Sequence, residues 1–300
     1  MPCHHFVVNF IEQQASGREQ AILREFPADP LYVDLVAGLA ATAMEGMDGS
    51  VIPTLALAGS QGTGKSTLAQ ALQHLLREQY GRQATILSLD DFYLTRAERH
   101  RLAEQVHPLL RTRGVPGTHD VTRLHDALLA LQRGESADLP VFDKSRDDRA
   151  EATRFVVSTD VIICEGWCWG ARPEPEESLR LPINDLEVFE DVDGHWRRYV
   201  NHQLSGYQPL FSQDLLVYLR VPSLEQVFAW RWQQEQDLKK ATGSTSTMDK
   251  GQVTQFIQFY ERLTCWMLLD MPARSDLIAS LDDQHRVVNV ERGSDSGSIQ

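Results

Sequence analysis

The fold is decided by one stretch, Gly59-Ser60-Gln61-Gly62-Thr63-Gly64-Lys65-Ser66, which matches the phosphate-binding loop pattern G-x-x-x-x-G-K-[ST]. The apolar run at residues 54–58, directly before it, predicts a buried parallel strand. After it, the leucines between positions 68 and 76 recur with the spacing of one helix face. A strand, a glycine-rich loop and a helix in this order are the context that the pattern requires, so the stretch predicts an α/β fold with a phosphate site at this turn.

Each position of this loop has a physical reason. Gly59 permits a sharp turn after the strand, while Gly62 and Gly64 let backbone N–H groups close around phosphate oxygens. Lys65 can reach the β- and γ-phosphates of a nucleotide, and the Ser66 hydroxyl can ligate Mg²⁺. The alternative is a glycine-rich turn that binds no ligand. The candidate nucleotide-binding residues are Gly59, Ser60, Gln61, Gly62, Thr63, Gly64, Lys65, Ser66 and Thr67.

The composition argues against several classes of function. The 300 residues are 42% apolar, which is enough for a large core, and their formal net charge is −13. Because the chain has no block of basic residues, we expect no nucleic-acid surface and no polybasic membrane contact. There is no long apolar run and no secretory signal pattern at the N-terminus, and the four cysteines make no disulfide framework, so we expect a cytoplasmic protein. Its oligomeric state is left open.

Short apolar runs alternate with helical segments along the chain. This alternation predicts a P-loop NTPase-type parallel sheet with helices on both faces. Besides residues 54–58, the runs expected to form strands are 84–89, 160–164, 215–219 and 287–290. The predicted organisation is an N-terminal helical extension (1–50), a P-loop domain (51–292) with an insertion (170–213) and a lid region (223–250), and a disordered tail (293–300).

Three acidic residues follow or end predicted strands, namely Asp90, Asp91 and Glu165. The carboxyl ends of parallel strands share one crevice, where ligands of such folds bind. A phosphoryl transferase needs a carboxylate to accept the proton of the attacking hydroxyl, and we assign this role to Asp90. We expect Ser66, Asp90 and Glu165 to hold the metal. The alternatives are that the aspartates cap the next helix and that Glu165 is only a structural acceptor.

Two loops carry further polar candidates. The glycine- and proline-containing loop at residues 111–120 suits a small polar substrate, and the cations at positions 144 and 146 could pair with a carboxylate or with the transferred phosphate. Arg231 lies on a helix before a loop of small residues and could stabilise charge in the transition state. The alternatives are a solvated strip of salt bridges and a surface arginine. The candidate substrate-binding residues are Asp91, Tyr93, Arg113, His119, Asp120, Lys144 and Arg146.

Five motifs together resemble the P-loop kinase family of phosphoribulokinase, uridine kinase and pantothenate kinase. They are residues 59–66, Ser88–Tyr93, Arg113–Asp120, Phe142–Ser145 and Ile163–Trp167, in this order. The strings R-G-x-P-G-T-H-D and F-D-K-S, with residues 230–235 downstream, are most similar to the glycerate kinase branch of that family. The resemblance covers roughly residues 30–292.

The resemblance implies a kinase that uses ATP and Mg²⁺ to phosphorylate a hydroxyl of a small metabolite, foremost D-glycerate. It places the catalytic aspartate on Asp90 and the lid arginine on Arg231, with Lys65 at the phosphates. The chain departs from plant glycerate kinases because Ser145 is followed directly by Arg146, without the longer glycine-containing stretch. This departure leaves two alternatives open. One is another small alcohol, such as pantothenate or a nucleoside, and the other is a nucleotide-dependent regulatory module that transfers nothing.

Overall fold

The computed structural model describes residues 14–48, 51–242 and 248–293. Its helices are α1 (Gly17–Ile22), α2 (Pro30–Glu45), α3 (Lys65–Tyr80), α4 (Arg96–Gln105), α5 (Val121–Gln132), α6 (Asp185–Phe189), α7 (His195–Tyr207), α8 (Leu224–Thr242) and α9 (Lys250–Asp270). Its strands are β1 (Thr54–Ala58), β2 (Ala84–Ser88), β3 (Ala137–Leu139), β4 (Phe142–Asp143), β5 (Asp148–Arg149), β6 (Arg154–Val156), β7 (Val161–Gly166), β8 (Leu215–Arg220), β9 (Leu277–Leu281) and β10 (Val287–Arg292).

The main sheet has the strand order β10-β9-β8-β1-β7-β2. Strand β1 is central and buried at all five positions, as its apolar sequence predicts. It pairs in parallel with β7 on one side and β8 on the other, and β2 pairs in parallel with β7. The predicted P-loop NTPase-type sheet is therefore confirmed, and the ends of β1, β2 and β7 meet at one edge.

One edge of the sheet differs from the all-parallel prediction. Strand β9, which the sequence analysis did not predict, pairs in parallel with β8, and β10 pairs with β9 in the antiparallel direction. Only residues 282–286 connect these two strands. Such a short connection allows a hairpin, whereas a parallel neighbour needs a crossover of a dozen or more residues.

The described part of the predicted N-terminal extension packs into the main core. Helix α2 begins with Asp29 as N-cap and Pro30 in its first turn, both favourable at a helix start. Its buried residues, including Leu35 and Leu39, share one hydrophobic cluster with Leu55 of β1 and Leu72 of α3. The helical pattern near residues 32–44 thus corresponds to a helix whose buried face is part of the main core. Residues 1–13 lie outside the described part of the chain.

The predicted insertion contains two helices, α6 and α7, and no strand among its residues, all of which are described. Helix α7 was not predicted, although Trp196, Leu204 and Tyr207 are buried on one face at helical spacing. The predicted lid region corresponds to α8 and the start of α9, with residues 243–247 outside the described part. Of the predicted tail, only residue 293 is described. No helix among the described residues has the length and apolarity to cross a membrane.

Two leucines of α2 test whether this helix belongs to the core. Leu39 is fully buried, whereas the Leu31 side chain is 39% exposed. We expect Leu39→Ala to lower the free energy of unfolding by about 2–5 kcal/mol, because it removes buried methyl groups and leaves a cavity. The control Leu31→Ala should cost roughly 1 kcal/mol or less. Urea denaturation measures both, and equal effects would contradict this packing.

Candidate functional site

Three glycines of the phosphate loop have backbone φ angles that are unfavourable for residues with a Cβ atom. Gly59 has a φ of 148°, and Gly62 and Gly64 each have a φ of 82°. A Cβ on Gly59 would lie 2.7 Å from the backbone oxygen of Leu219, on the neighbouring strand. Helix α3 begins at Lys65, immediately after Gly64, so its free N–H groups adjoin the loop. The arrangement is that of an anion site formed by a loop and a helix N-terminus.

The side chain of Lys65 is buried and folds back over the loop. Its Nζ donates hydrogen bonds to the backbone oxygen of Ser60 at 2.8 Å and to Oγ1 of Thr63 at 3.4 Å. Burial lowers the pKa of Lys65, although the negative charges of Glu165 and Asp90 oppose the shift. The lysine is thus held near two carboxylates, with its ammonium available to an incoming anion.

Asp90 lies in a short 3₁₀ turn, Leu89–Phe92, that follows β2. The hydroxyl of Tyr93 donates a hydrogen bond to its Oδ1 at 2.7 Å, and Nζ of Lys144 donates to its Oδ2 at 2.7 Å. Burial raises the pKa of Asp90, but Lys144 and Tyr93 together outweigh it and hold the pKa below its usual range. Asp90 is therefore a carboxylate at neutral pH.

Glu165 is a buried residue of β7 that lies between β1 and β2, opposite Leu57 and Ser88. The Ser88 hydroxyl donates a hydrogen bond to its carboxylate. Burial raises the pKa of Glu165, and the positive charge of Lys65 opposes this. The side chain is thus hydrogen-bonded to the neighbouring strand β2 and lies near the positive charge of Lys65.

The candidate metal ligands Ser66, Asp90 and Glu165 all line one cavity. Among the described residues, no group of three or more His, Cys, Asp or Glu could hold a metal ion by itself. Two carboxylates and a hydroxyl nevertheless suit Mg²⁺, which is usually bound by one or two carboxylates together with substrate phosphates and water. The donor set therefore fits a magnesium–nucleotide complex better than a metal site made of protein ligands alone.

This cavity, which we call the central cavity, has a volume of about 260 Å³. Besides predicted residues, it includes Trp167 and Tyr260, which lie edge to face with ring centroids 5.1 Å apart. The Tyr260 hydroxyl donates to the backbone oxygen of Arg113 at 3.0 Å, and Trp167 Nε1 donates to that of Gly114 at 2.8 Å. The central cavity is lined by Gln61, Gly62, Lys65, Ser66, Asp90, Tyr93, Arg113, Lys144, Glu165, Trp167, Arg231, Gln234, Phe256 and Tyr260.

Sequence reasoning did not identify four of these lining residues, Trp167, Gln234, Phe256 and Tyr260, as site residues. Phe256 and Tyr260 belong to the apolar pattern of α9, and such a pattern indicates packing rather than binding. A position on a helix face does not reveal that the helix closes over a distant loop. The contact from Tyr260 to residue 113 joins positions that are 147 residues apart.

Arg231 lines the central cavity, as predicted, but it has protein partners. Its guanidinium pairs with Glu235 and donates to Gln234 at 2.9 Å. It also lies over the ring of Phe256, with Cζ 5.2 Å from the centroid. Its Nε is buried and has no hydrogen-bond partner among the described residues.

Two predicted substrate residues, Asp91 and Asp120, lie outside the lining of the central cavity. Asp91 accepts a hydrogen bond from the backbone N–H of Phe142 at 3.3 Å. Asp120 is the N-cap of α5 and pairs with Arg149 at 2.9 Å. Arg146 is exposed and also absent from this lining. The two aspartates thus connect the loops that carry the lining residues.

His119 is buried behind Tyr93 and does not line the central cavity. The two rings stack with centroids 4.7 Å apart, and His119 Nδ1 is 2.8 Å from the hydroxyl of Tyr207. Burial lowers the pKa of His119 to about 4, although the charge of Asp90 opposes this shift. His119 is therefore a neutral imidazole at pH 7 that supports the ring bonded to Asp90.

The chain is similar to known kinases in sequence and in fold. Residues 54–193 match the phosphoribulokinase/uridine kinase family. The chain is 36% identical over 220 residues to "Uncharacterized kinase mug58" of Schizosaccharomyces pombe, covering 69% of this chain and 77% of that one. It is 29% identical over 229 residues to "D-glycerate 3-kinase, chloroplastic" of Arabidopsis thaliana, covering 71% and 47%. The solved structure of D-glycerate 3-kinase from Cryptococcus neoformans superposes with a TM-score of 0.72 at 26% identity, covering 93% and 100%.

The geometry of the loop predicts the effect of adding one methyl group. Gly59→Ala places a Cβ against the backbone of Leu219 at an unfavourable φ, so we expect a loss of about 1–3 kcal/mol or more in the free energy of unfolding. Gly206→Ala on α7 is the control, because no atom lies within 4 Å of its added Cβ. It should leave stability unchanged or raise it. Chemical denaturation compares the two, and a neutral Gly59→Ala would refute the strained turn.

Proposed function

The chain belongs to the phosphoribulokinase/uridine kinase family and is an ATP-dependent kinase, and from this premise we propose that its acceptor is a small hydroxylated acid, D-glycerate. One observation carries the proposal. The ionised carboxylate of Asp90 and the cations Arg113 and Lys144 line the same cavity as Lys65 of the phosphate loop. An acceptor that carries both a hydroxyl and a carboxylate needs a base for the first and cations for the second. Two of the relatives described above are named D-glycerate 3-kinases, which supports this choice of acid.

Asp90 acts as the base in this proposal. One carboxylate oxygen already accepts a hydrogen bond from Tyr93 and the other from Lys144, so the group is oriented before substrate arrives. The proton of the attacking hydroxyl would pass to this carboxylate as the new O–P bond forms and the bond between the γ-phosphorus and the bridging oxygen of ATP breaks, which releases ADP. Lys144 is largely exposed at its tip and can also contact an acceptor carboxylate. Arg113 and Tyr93 complete the substrate contacts, while Asp91, His119 and Asp120 support the loops around them.

ATP and Mg²⁺ would bind where the phosphate loop adjoins the cavity. The loop amides of residues 59–67 and the ammonium of Lys65 would hold the phosphates, and Ser66, Asp90 and Glu165 would hold the metal. When bound, Mg²⁺ supplies positive charge against the phosphates. Arg231 would stabilise negative charge during transfer, since this arginine lines the central cavity.

We expect D-glycerate to give the highest kcat/KM in a coupled ADP-release assay that also includes pantothenate, uridine and ribulose 5-phosphate. Asp90→Asn should lower kcat by roughly three orders of magnitude or more, because the amide cannot accept the proton. ATP affinity, measured by calorimetry in the absence of Mg²⁺, should stay within a few-fold of the wild-type value, since the loop is intact.

Each alternative has its own signature in this experiment. Faster turnover of another alcohol would overturn the glycerate assignment and keep the kinase assignment. A protein that binds ATP but phosphorylates none of the four would support the regulatory module. Full activity of Asp90→Asn would show that Asp90 is not the base.

The ion pair between Asp90 and Lys144 predicts a shift in the pH dependence of activity. Lys144 lowers the pKa of Asp90, and this carboxylate must be ionised to act as the base. Lys144→Met removes the positive charge, so the pKa of Asp90 rises and the acid limb of kcat/KM against pH should move to higher pH. The control is Lys250→Met, at an exposed lysine at the start of α9. An acid limb that stays in place, or that moves to lower pH, would contradict this electrostatic role.

A further inference from the structure

The short hairpin of β4 and β5 turns at Asp147, whose backbone φ is 53°. Aspartate is among the few residues other than glycine that enter this left-handed region readily. One carboxylate oxygen of Asp147 accepts from Nη1 of Arg113, and the other pairs with Nη2 of Arg99 at 2.9 Å. The turn therefore places a single carboxylate between two guanidinium groups.

Arg99 is a fixed anchor for this turn. Its side chain is only 1% exposed, which is rare for arginine and requires internal partners. Nε donates to the backbone oxygen of Leu94 at 3.2 Å, Nη1 to that of Arg111 at 2.9 Å, and Nη2 to that of Asp147 at 2.6 Å. Because these carbonyls belong to three separate segments, Arg99 joins α4, the loop before Arg113 and the hairpin.

Arg113 is held less completely than Arg99. Its guanidinium contacts the Asp147 carboxylate and the ring of Phe142, with Cζ 5.3 Å from the centroid. No residue in the described ranges accepts a hydrogen bond from its Nε or Nη2. A guanidinium bound through Nη1 keeps the Nε–Nη2 edge, which matches the two oxygens of a carboxylate.

Arg113 lines both the central cavity and a neighbouring cavity of about 610 Å³. Asp147 lines only the neighbouring one. An acceptor in the central cavity would therefore meet Arg113 without touching Asp147. Any influence of Asp147 on the acceptor must pass through the position of this arginine.

We propose that Asp147 is a positioning residue that orients Arg113 for the carboxylate of the acceptor, an inference that rests on the proposed acid substrate. The buried Arg99 fixes the turn, the turn fixes the Asp147 carboxylate, and this carboxylate fixes Nη1 of Arg113. The Nε–Nη2 edge of Arg113 then faces the carboxylate of the acid. The arginine side chain does not have to change its rotamer when the acid binds. Asp147 thus contributes to substrate affinity and not to the transfer of the phosphoryl group.

The test is Asp147→Asn, because asparagine tolerates the same backbone but offers one acceptor oxygen in place of two. Arg99 keeps its three carbonyl partners, whereas Arg113 has no other hydrogen-bond partner in the described ranges and is the arginine more affected by the loss of the negative charge and of one acceptor oxygen. We expect the KM for D-glycerate to rise about ten-fold, with kcat and the KM for ATP within two- to three-fold of the wild-type values. A loss of kcat with an unchanged KM for D-glycerate would overturn the proposal.

Two further variants separate positioning from general destabilisation. Asp148→Asn is the matched control, because the Asp148 carboxylate lies in the same hairpin and accepts from the backbone N–H groups of Arg96 and Arg149. It should leave the KM for D-glycerate unchanged even if it lowers the melting temperature. In the Arg113→Met background, Asp147→Asn should have no further effect on this KM. Additive effects of the two substitutions would show that Asp147 does not act through Arg113.

A crystal structure of Asp147→Asn provides a readout that does not depend on the substrate. We expect the guanidinium of Arg113 to leave its place over Phe142, while Arg99 keeps its three carbonyl bonds. An unmoved Arg113 would overturn the proposal even if D-glycerate is the substrate. If the wild-type protein fails to phosphorylate D-glycerate but Arg113 moves in the variant, the proposed acceptor fails and the positioning role stands.

Discussion

The site depends on the parallel pairing of β1, β7 and β2. This pairing places Leu57, Glu165 and Ser88 side by side, so the glycine loop that follows β1 and the turn that follows β2 lie at the same edge. Parallel strands must be connected by helices on the faces of the sheet, and their carboxyl ends are left open to a ligand. The positions of Lys65, Glu165 and Asp90 are thus consequences of the sheet register, before any side chain interaction is considered.

The charged side chains that line the central cavity are mainly positive, whereas the protein as a whole is acidic. The chain carries a formal net charge of −13, yet Lys65, Arg113, Lys144 and Arg231 line this cavity together with only two carboxylates, Asp90 and Glu165. An anionic nucleotide and the proposed anionic acceptor would therefore meet a local excess of cations within an acidic molecule. One of these cations, Lys144, also helps to keep Asp90 ionised, because Lys144 and the Tyr93 hydroxyl together outweigh the effect of burial on its pKa.

The parts that the sequence could predict depend on neighbours along the chain. The loop at residues 59–66 has a pattern whose every position has a local backbone or phosphate role, and Asp90 follows a recognisable strand. Tyr260 and Asp147 could not be identified in this way. Tyr260 looks like any core residue of an amphipathic helix, and Asp147 looks like one member of a charged cluster. Their roles depend on contacts across the fold, from residue 260 to residue 113 and from residue 147 to residues 99 and 113.

The hairpin of β4 and β5 explains why the acceptor side of the site needs a second layer of residues. It carries Lys144, which bonds to Asp90, and Asp147, which bonds to Arg113, so both cations that face the acceptor depend on its position. A two-stranded hairpin of this length has little stability of its own. The hairpin is instead held in place by the hydrogen bond from Arg99 to the backbone of Asp147, by the hydrogen bond from the Phe142 N–H to Asp91 and by the ion pair of Arg149 with Asp120. Polar residues outside the central cavity, such as Arg99, Asp91 and Asp120, therefore hold in place the few residues that line it.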